Sequence, residues 1–192
     1  IKGQVEAGVD EAGRGCLVGP VFVAAVICGP KFKHKELDDS KKLNASKRND
    51  LRKYIEDHAL DFKVSYCTHE TIDQINILNA SILAMHQALA GLKITPELIL
   101  VDGNRFKPFQ KIPYLTVIKG DGIYQSIAAA SILAKTYRDE FMLNMHEEFP
   151  QYNWINNKGY GTKNHVELLK KYGMSPIHRK SFKLKSEQLE LF

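Results

Sequence analysis

The 192-residue sequence is short of the groups that define several functional classes. Its three cysteines, Cys16, Cys28 and Cys67, are odd in number and lack C-x-x-C spacing. Neither a disulfide framework nor a thiolate metal site is expected, and free thiols in a reducing cytoplasm are. No apolar run approaches the ~20 residues of a membrane span, and no secretory leader pattern opens the chain. The seven histidines do not combine with the cysteines at zinc-binding spacings. No serine sits in a nucleophile elbow, which leaves a Ser/His hydrolase without its attacking group. No segment repeats, which excludes a solenoid.

What is present is an ordinary apolar fraction of 44%, enough for one domain with a sizeable core. The net charge of +5 is unevenly spread. Residues 31–53 carry +5 and residues 158–185 carry +7, so the remainder carries −7. Two basic segments beside an acidic remainder suit a protein that neutralises phosphates with two surfaces and keeps its acids for another task.

Hydrophobic periodicity predicts strands at Val5–Val9, Val21–Ile27, Phe62–Cys67, Leu98–Val101 and Leu115–Ile118. Helices are expected after Asn44 or Ser46, from Thr68 or Thr71 to Gly91, from Ile123 to Phe149, and from Val166 to Tyr172. The alternation predicts an α/β fold with a mixed central sheet flanked by helices and a small helical C-terminal extension. Residues 1–172 are expected to form one domain and residues 173–192 a basic tail.

Acids stand at three predicted strand ends: Asp10-Glu11, Asp102 and Asp121. Alone, each reads as a turn residue or helix cap. Ligand crevices in open α/β sheets lie beyond the carboxyl ends of the strands, so these acids can converge although far apart in sequence. Four clustered carboxylates repel one another unless cations sit among them. Oxygen-only ligation suits Mg²⁺ or Mn²⁺, and a pair of such ions suits phosphodiester hydrolysis by in-line attack of water. Because strand side chains alternate in direction, Asp10 and Glu11 are expected to share a site only if the first strand ends there, at Gly13-Arg14-Gly15.

Six motifs in series carry a resemblance over essentially the whole chain. They are Asp10-Glu11-Ala12-Gly13-Arg14-Gly15, Asp39-Ser40-Lys41-Lys42-Leu43, Val101-Asp102-Gly103, Lys119-Gly120-Asp121 with Ile127 to Lys135, Gly159-Tyr160-Gly161-Thr162 with His165, and His178-Arg179 with Ser181-Phe182. In that order they resemble bacterial ribonuclease HII. Val18 departs from the pattern, a smaller residue being expected before Gly19-Pro20. The sister family ribonuclease HIII is disfavoured by Ala12 and Arg14.

The resemblance implies a ribonuclease H-like fold and an endonuclease that cuts the RNA strand of RNA–DNA hybrids and incises 5′ of ribonucleotides in duplex DNA. It places the metal-binding, catalytic acids on Asp10, Glu11, Asp102 and Asp121. The substrate element falls on Gly13, Arg14 and Gly15, and the substrate tyrosine on Tyr160. Telling RNA from DNA requires contact with a 2′-hydroxyl, both donor and acceptor, which backbone groups at Gly13, Arg14 and Gly15 can supply. Ser40, Lys41, Lys42, Arg179 and Lys180 are expected to hold phosphates, which positions without specifying. His165 and His178 are expected to be structural or phosphate contacts, and Arg138 and Asp139 an exposed or interhelical polar pair without chemistry.

The terminal Gln188-Leu189-Glu190-Leu191-Phe192 looks like the short peptide by which bacterial replication proteins dock on the sliding clamp, and equally like the amphipathic end of a helix packed on its own domain. Nothing in the sequence requires more than a monomer. Two alternatives remain at this point: a two-metal nuclease of the same fold acting on DNA junctions, and a non-catalytic hybrid-binding module.

Overall fold

Strand β2, Val21–Ile27, is buried at every position, and its two faces explain the layers of the molecule. Val21, Val23, Ala25 and Ile27 pack into one core with helix α2, His69–Ala90. Ala24 and Val26 pack into a second core with helices α1, Ala45–His58, and α3, Gln125–Glu148. A strand covered on both sides has no polar face, hence the unbroken run Val-Phe-Val-Ala-Ala-Val-Ile. This computed structural model describes residues 4–30, 32–34, 36–37 and 44–182.

Around β2 the sheet runs in the order β3-β2-β1-β4-β5. Strand β1, Glu6–Ala12, pairs antiparallel with β2, which pairs antiparallel with β3, Asp61–Cys67. On its other side β1 pairs parallel with β4, Leu98–Asp102, and β4 with the edge strand β5, Tyr114–Val117. The mixed sheet with flanking helices agrees with the expected class. Because β1 and β4 run in the same direction, their carboxyl ends bring Asp10, Glu11 and Asp102 to one edge of the sheet.

The helices begin at side-chain caps. The Asn44 side chain accepts from Lys47 N–H, Thr68 from Thr71 N–H and Thr162 from His165 N–H, each cap being worth about 1 kcal/mol. The periodicity of α2 conceals a break. Asn76 sits at φ 64°, and its Oδ1 accepts from Asn79 N–H, so one residue both interrupts the helix and caps its continuation. Helix α3 owes its position to small residues. Gly8 of β1 leaves so little room that a Cβ there would lie 2.1 Å from the Ser126 carbonyl carbon.

Beyond α3, a 3₁₀ turn at Pro150–Tyr152, the short helix α4, Trp154–Asn157, and α5, Lys163–Tyr172, enclose a third cluster. Val18, Met142, Tyr152, Trp154 and Leu169 form it. Val18, larger than the residue expected at that position, is fully buried there, against Gly159. The expected boundary after residue 172 needs correction for the segment up to 182. Val18 pairs with His178, Gly19 N–H donates to Ile177 C=O and Arg179 N–H to Leu17 C=O. Asp73 of α2 accepts from Lys180 N–H, Ser181 N–H and the Ser181 hydroxyl. These residues are bonded into the domain. The helical extension expected further on falls on residues 183–192, outside the described residues.

Candidate active site

The acids sit where the strands end, with one difference from expectation. Strand β1 does not stop at Asp10 but runs on to Ala12, with Asp10 opposite Ala24 and Glu11 opposite Val23. Asp10 is buried, and its carboxylate accepts from the Glu11 N–H at 2.7 Å and from the Ser131 hydroxyl of α3. Glu11 accepts from Arg14 Nη1 at 3.1 Å. Arg14, three residues on, ion-pairs with Glu11, and the Glu11 charge still acts on Asp10 although both stand on one regular strand.

Asp102 closes β4, and its Oδ1 accepts from Gly120 N–H at 2.7 Å. Asp121 follows, itself buried, in a 3₁₀ turn, Gly120–Gly122, so it is not the cap of α3, whose N-cap is Tyr124. That turn ties Asp121 to Asp102 through one intervening residue.

Electrostatics show that three of these acids feel one another. Burial, then the charges of Glu11 and Asp102, pushes the Asp10 carboxyl well above the usual carboxylate range. Burial also raises Glu11, with Asp102 adding to the effect and Arg14 opposing it. Among the described residues, no three acidic, histidine or cysteine side chains are grouped so as to hold a metal ion as they stand. The donor set is nevertheless all oxygen, and the mutual repulsion of Asp10, Glu11 and Asp102 is of the kind that the charge of a hard divalent cation would relieve.

Beside the acids lies a cleft of about 440 Å³ lined by Glu11, Gly13 to Gly15, Arg48, Ser131, Lys135 and Tyr160. The two glycines have different reasons to be glycine. Gly13 has φ +97°, and a Cβ on it would lie 2.1 Å from Nε of the buried Arg138. Gly15 has nothing within 4 Å of the corresponding position, so its backbone faces open space. Tyr160 is 40% exposed and pairs with Cys16 across an isolated bridge, while Leu17 N–H donates to Gly159 C=O. Its hydroxyl is bonded to the Cys16 thiol, and burial raises its pKa. The tyrosine and the glycine loop are thus one bonded unit.

The family model for ribonuclease HII matches residues 7–185. The chain belongs to the ribonuclease HII family. It is an enzyme, a hydrolase that degrades the RNA strand of RNA–DNA hybrids. Ribonuclease HII of Christiangramia forsetii is 63% identical over 185 residues, covering 96% of this chain and 93% of that one. The ribonuclease H2 of Pyrococcus horikoshii superposes with a TM-score of 0.79 at 26% identity, over 97% of each chain. Ribonuclease HII of Archaeoglobus fulgidus, solved in complex with PCNA, gives 0.81 at 27% identity, over 98% of this chain and 100% of that one.

For this ribonuclease the remaining sequence expectations divide. Ser40, Lys41 and Lys42, and Gln188, Leu189, Leu191 and Phe192, lie outside the described residues. Lys180 is exposed, but Arg179 is not the surface phosphate contact expected of a basic tail. It is 1% exposed, with Nε on Gly19 C=O and Nη1 on Arg14 C=O. Nor does Arg138 pair with Asp139. Arg138 is fully buried on the carbonyls of Val18, Pro20 and Lys158, and Asp139 accepts from Lys135 instead.

His165 and His178 are buried structural residues. His165 bonds Tyr160 C=O and Trp154 Nε1–H, and His178 bonds Ser175. Sequence reasoning assigned no role to Ser131, Arg48 and Lys135, all of which line the cleft. A signal existed for two of them, since Ser131 and Lys135 are four apart and share a helix face.

Proposed function

We propose that this ribonuclease also incises duplex DNA on the 5′ side of embedded ribonucleotides, leaving a 3′-hydroxyl and a 5′-phosphate. The observation that carries the reading is a single cleft holding both Glu11 of the acid set and a glycine loop open to solvent at Gly15, with Tyr160 on its wall. Asp10, Glu11, Asp102 and Asp121 are the residues that would hold the divalent ions, Mg²⁺ or Mn²⁺. The pair, when bound, supplies a nucleophilic water and stabilises the leaving 3′-oxygen. Backbone groups of the Gly13–Gly15 loop bond the 2′-hydroxyl. Tyr160 stacks on the deoxyribose that follows the ribonucleotide, so the loop and ring together read an RNA-to-DNA junction. Arg14, Arg48, Lys135 and Lys180 neutralise phosphates along the approach.

The test is an end-labelled DNA duplex carrying one ribonucleotide, incubated with Mg²⁺ or Mn²⁺ beside an all-DNA duplex and a full hybrid. A cut 5′ of the ribonucleotide with the all-DNA duplex intact is the expected result, and cleavage of the full hybrid alone would overturn the junction reading. Gly15→Ala has room for its methyl group and no positive φ to strain, so its stability should change by less than about 0.5 kcal/mol. Its cleavage at the ribonucleotide should nevertheless fall at least tenfold, roughly the loss of one well-placed hydrogen bond to the substrate.

A second reading concerns a partner. The chain's Gln188-Leu189-Glu190-Leu191-Phe192 peptide and the PCNA complex of the Archaeoglobus enzyme both favour docking on a DNA sliding clamp. Removing residues 188–192 should abolish binding to immobilised clamp while leaving hybrid cleavage unchanged. Undiminished clamp affinity of the shortened chain would remove the idea.

A further inference from the structure

Two arginines lie beneath the glycine loop, buried and, among the described residues, without a carboxylate at bonding distance. Arg138 and Arg179 are 0% and 1% exposed. Their hydrogen-bond partners are backbone carbonyls of residues 14–20 and of Lys158, on two segments that reach the cleft at Arg14, Gly15 and Tyr160. Arg138 takes Pro20 C=O at 3.3 Å, Val18 C=O at 3.1 Å and Lys158 C=O at 2.9 Å. Arg179 takes Gly19 C=O at 2.9 Å and Arg14 C=O at 3.1 Å. Between them they fasten residues 14 to 20 to the turn that delivers Tyr160.

Burial of a guanidinium that no carboxylate bonds is costly, and it lowers the Arg179 pKa to about 10, the more distant Asp73 opposing the shift only in part. A hydrophobic side chain would fill the same space without that penalty. What it could not do is hold two carbonyls at a fixed separation, which a planar fork of donors does.

We propose that Arg179, with Arg138, is a positioning residue for ribose recognition: it fixes the Arg14 peptide so that the neighbouring Gly13–Gly15 groups meet the 2′-hydroxyl. The proposal rests on the reading of that loop as the ribose sensor. Arg14 C=O is already engaged by Arg179, and Gly13 C=O accepts from Cys16 N–H. The loop's shape is therefore set from below before substrate arrives, and Gly15 carries the face left open. Arg179 touches no substrate and acts through the loop.

The test uses the full chain, in Ca²⁺ so that the duplex is bound rather than cut. Affinity is measured for two duplexes that differ only in having a 2′-hydroxyl or a 2′-hydrogen at one position. Wild type is expected to favour the hydroxyl. Arg179→Ala should bring that ratio close to one while affinity for the all-DNA duplex stays within a factor of two, because phosphate contacts are untouched. Arg179→Lys keeps the charge and reaches only one carbonyl, so its ratio should fall between the two.

An unchanged ratio in Arg179→Ala or in Arg179→Lys would overturn the proposal. If the alanine variant does not fold, the lysine variant alone decides, since an intact ratio there shows that the fork is dispensable. A wild type that shows no preference would instead sink the reading of the loop itself, which distinguishes the two failures.

Discussion

Asp102→Asn is expected to reduce hybrid cleavage by about 10³-fold or more while leaving the fold intact and hybrid affinity unchanged or improved. The substitution is a clean one. Asp102 Oδ1 accepts from Gly120 N–H at 2.7 Å, and an asparagine carbonyl oxygen accepts the same bond. The turn that carries Asp121 therefore stays where it is. What disappears is one negative charge from a group of acids whose mutual repulsion is already evident, since Glu11 and Asp102 both add to the burial that raises Asp10. Relief of that repulsion should leave the metal-free variant as stable as wild type or more so, and it removes a repulsive charge from the path of a polyanion. Divalent cations, by contrast, should stabilise it less. Single-turnover cleavage, anisotropy of a labelled hybrid and the shift of Tm with Mn²⁺ read the three effects separately. A variant that kept more than a tenth of wild-type activity would remove Asp102 from the reaction.

Gly8→Ala is expected to cost about 3 kcal/mol, the upper end of what overpacking a core usually costs and a large share of the stability of a domain this size. A methyl group there would sit 2.1 Å from the Ser126 carbonyl carbon, 2.3 Å from Ile127 N and 2.4 Å from Ser126 O. All three are backbone atoms of the first turn of α3, so no side chain can rotate away. The helix must lift from the sheet, and Ile127, fully buried against Leu98 and Leu100, lifts with it. Ser131 stands on the next turn and bonds Asp10, so activity of the surviving folded fraction should fall as well. Gly122→Ala serves as the stability control. Its Cβ would meet nothing within 4 Å, and its Tm should move by no more than a surface substitution moves it. Thermal or urea unfolding of the pair settles the point, and a Gly8→Ala chain as stable as the control would show that α3 is not held against β1 as described.

Several features were legible because they depend on local chemistry. Asn44 and Thr68, each one of two caps the sequence offers, cap helices by bonds that span three residues, and the unbroken apolar run of β2 follows from burial on both faces. The acids at strand ends were legible for a related reason, since parallel strands deliver their carboxyl ends to one edge. The break at Asn76 was hidden, because the apolar spacing of α2 continues on both sides of it. Arg179 was misplaced for a different reason: a run of basic residues reads as a solvated surface unless the carbonyls that hold it are known. Arg138, beside an aspartate in sequence, bonds carbonyls that lie 20 to 120 residues away.

The sequence by itself determined the class of the fold, through the periodicity of its apolar residues, and, through six motifs in series, the resemblance to a family that implies the four acids on which the chemistry is proposed to turn. Only the tertiary structure decided what those acids stand on. It showed that Gly13 is glycine because of Arg138 whereas Gly15 faces open space, that Ser131 holds Asp10, and that Arg179 lies under the loop rather than on the surface. Each of these depends on which atoms meet across the packed layers, and a contact between residues more than a hundred positions apart leaves no period in the chain for a reader to find.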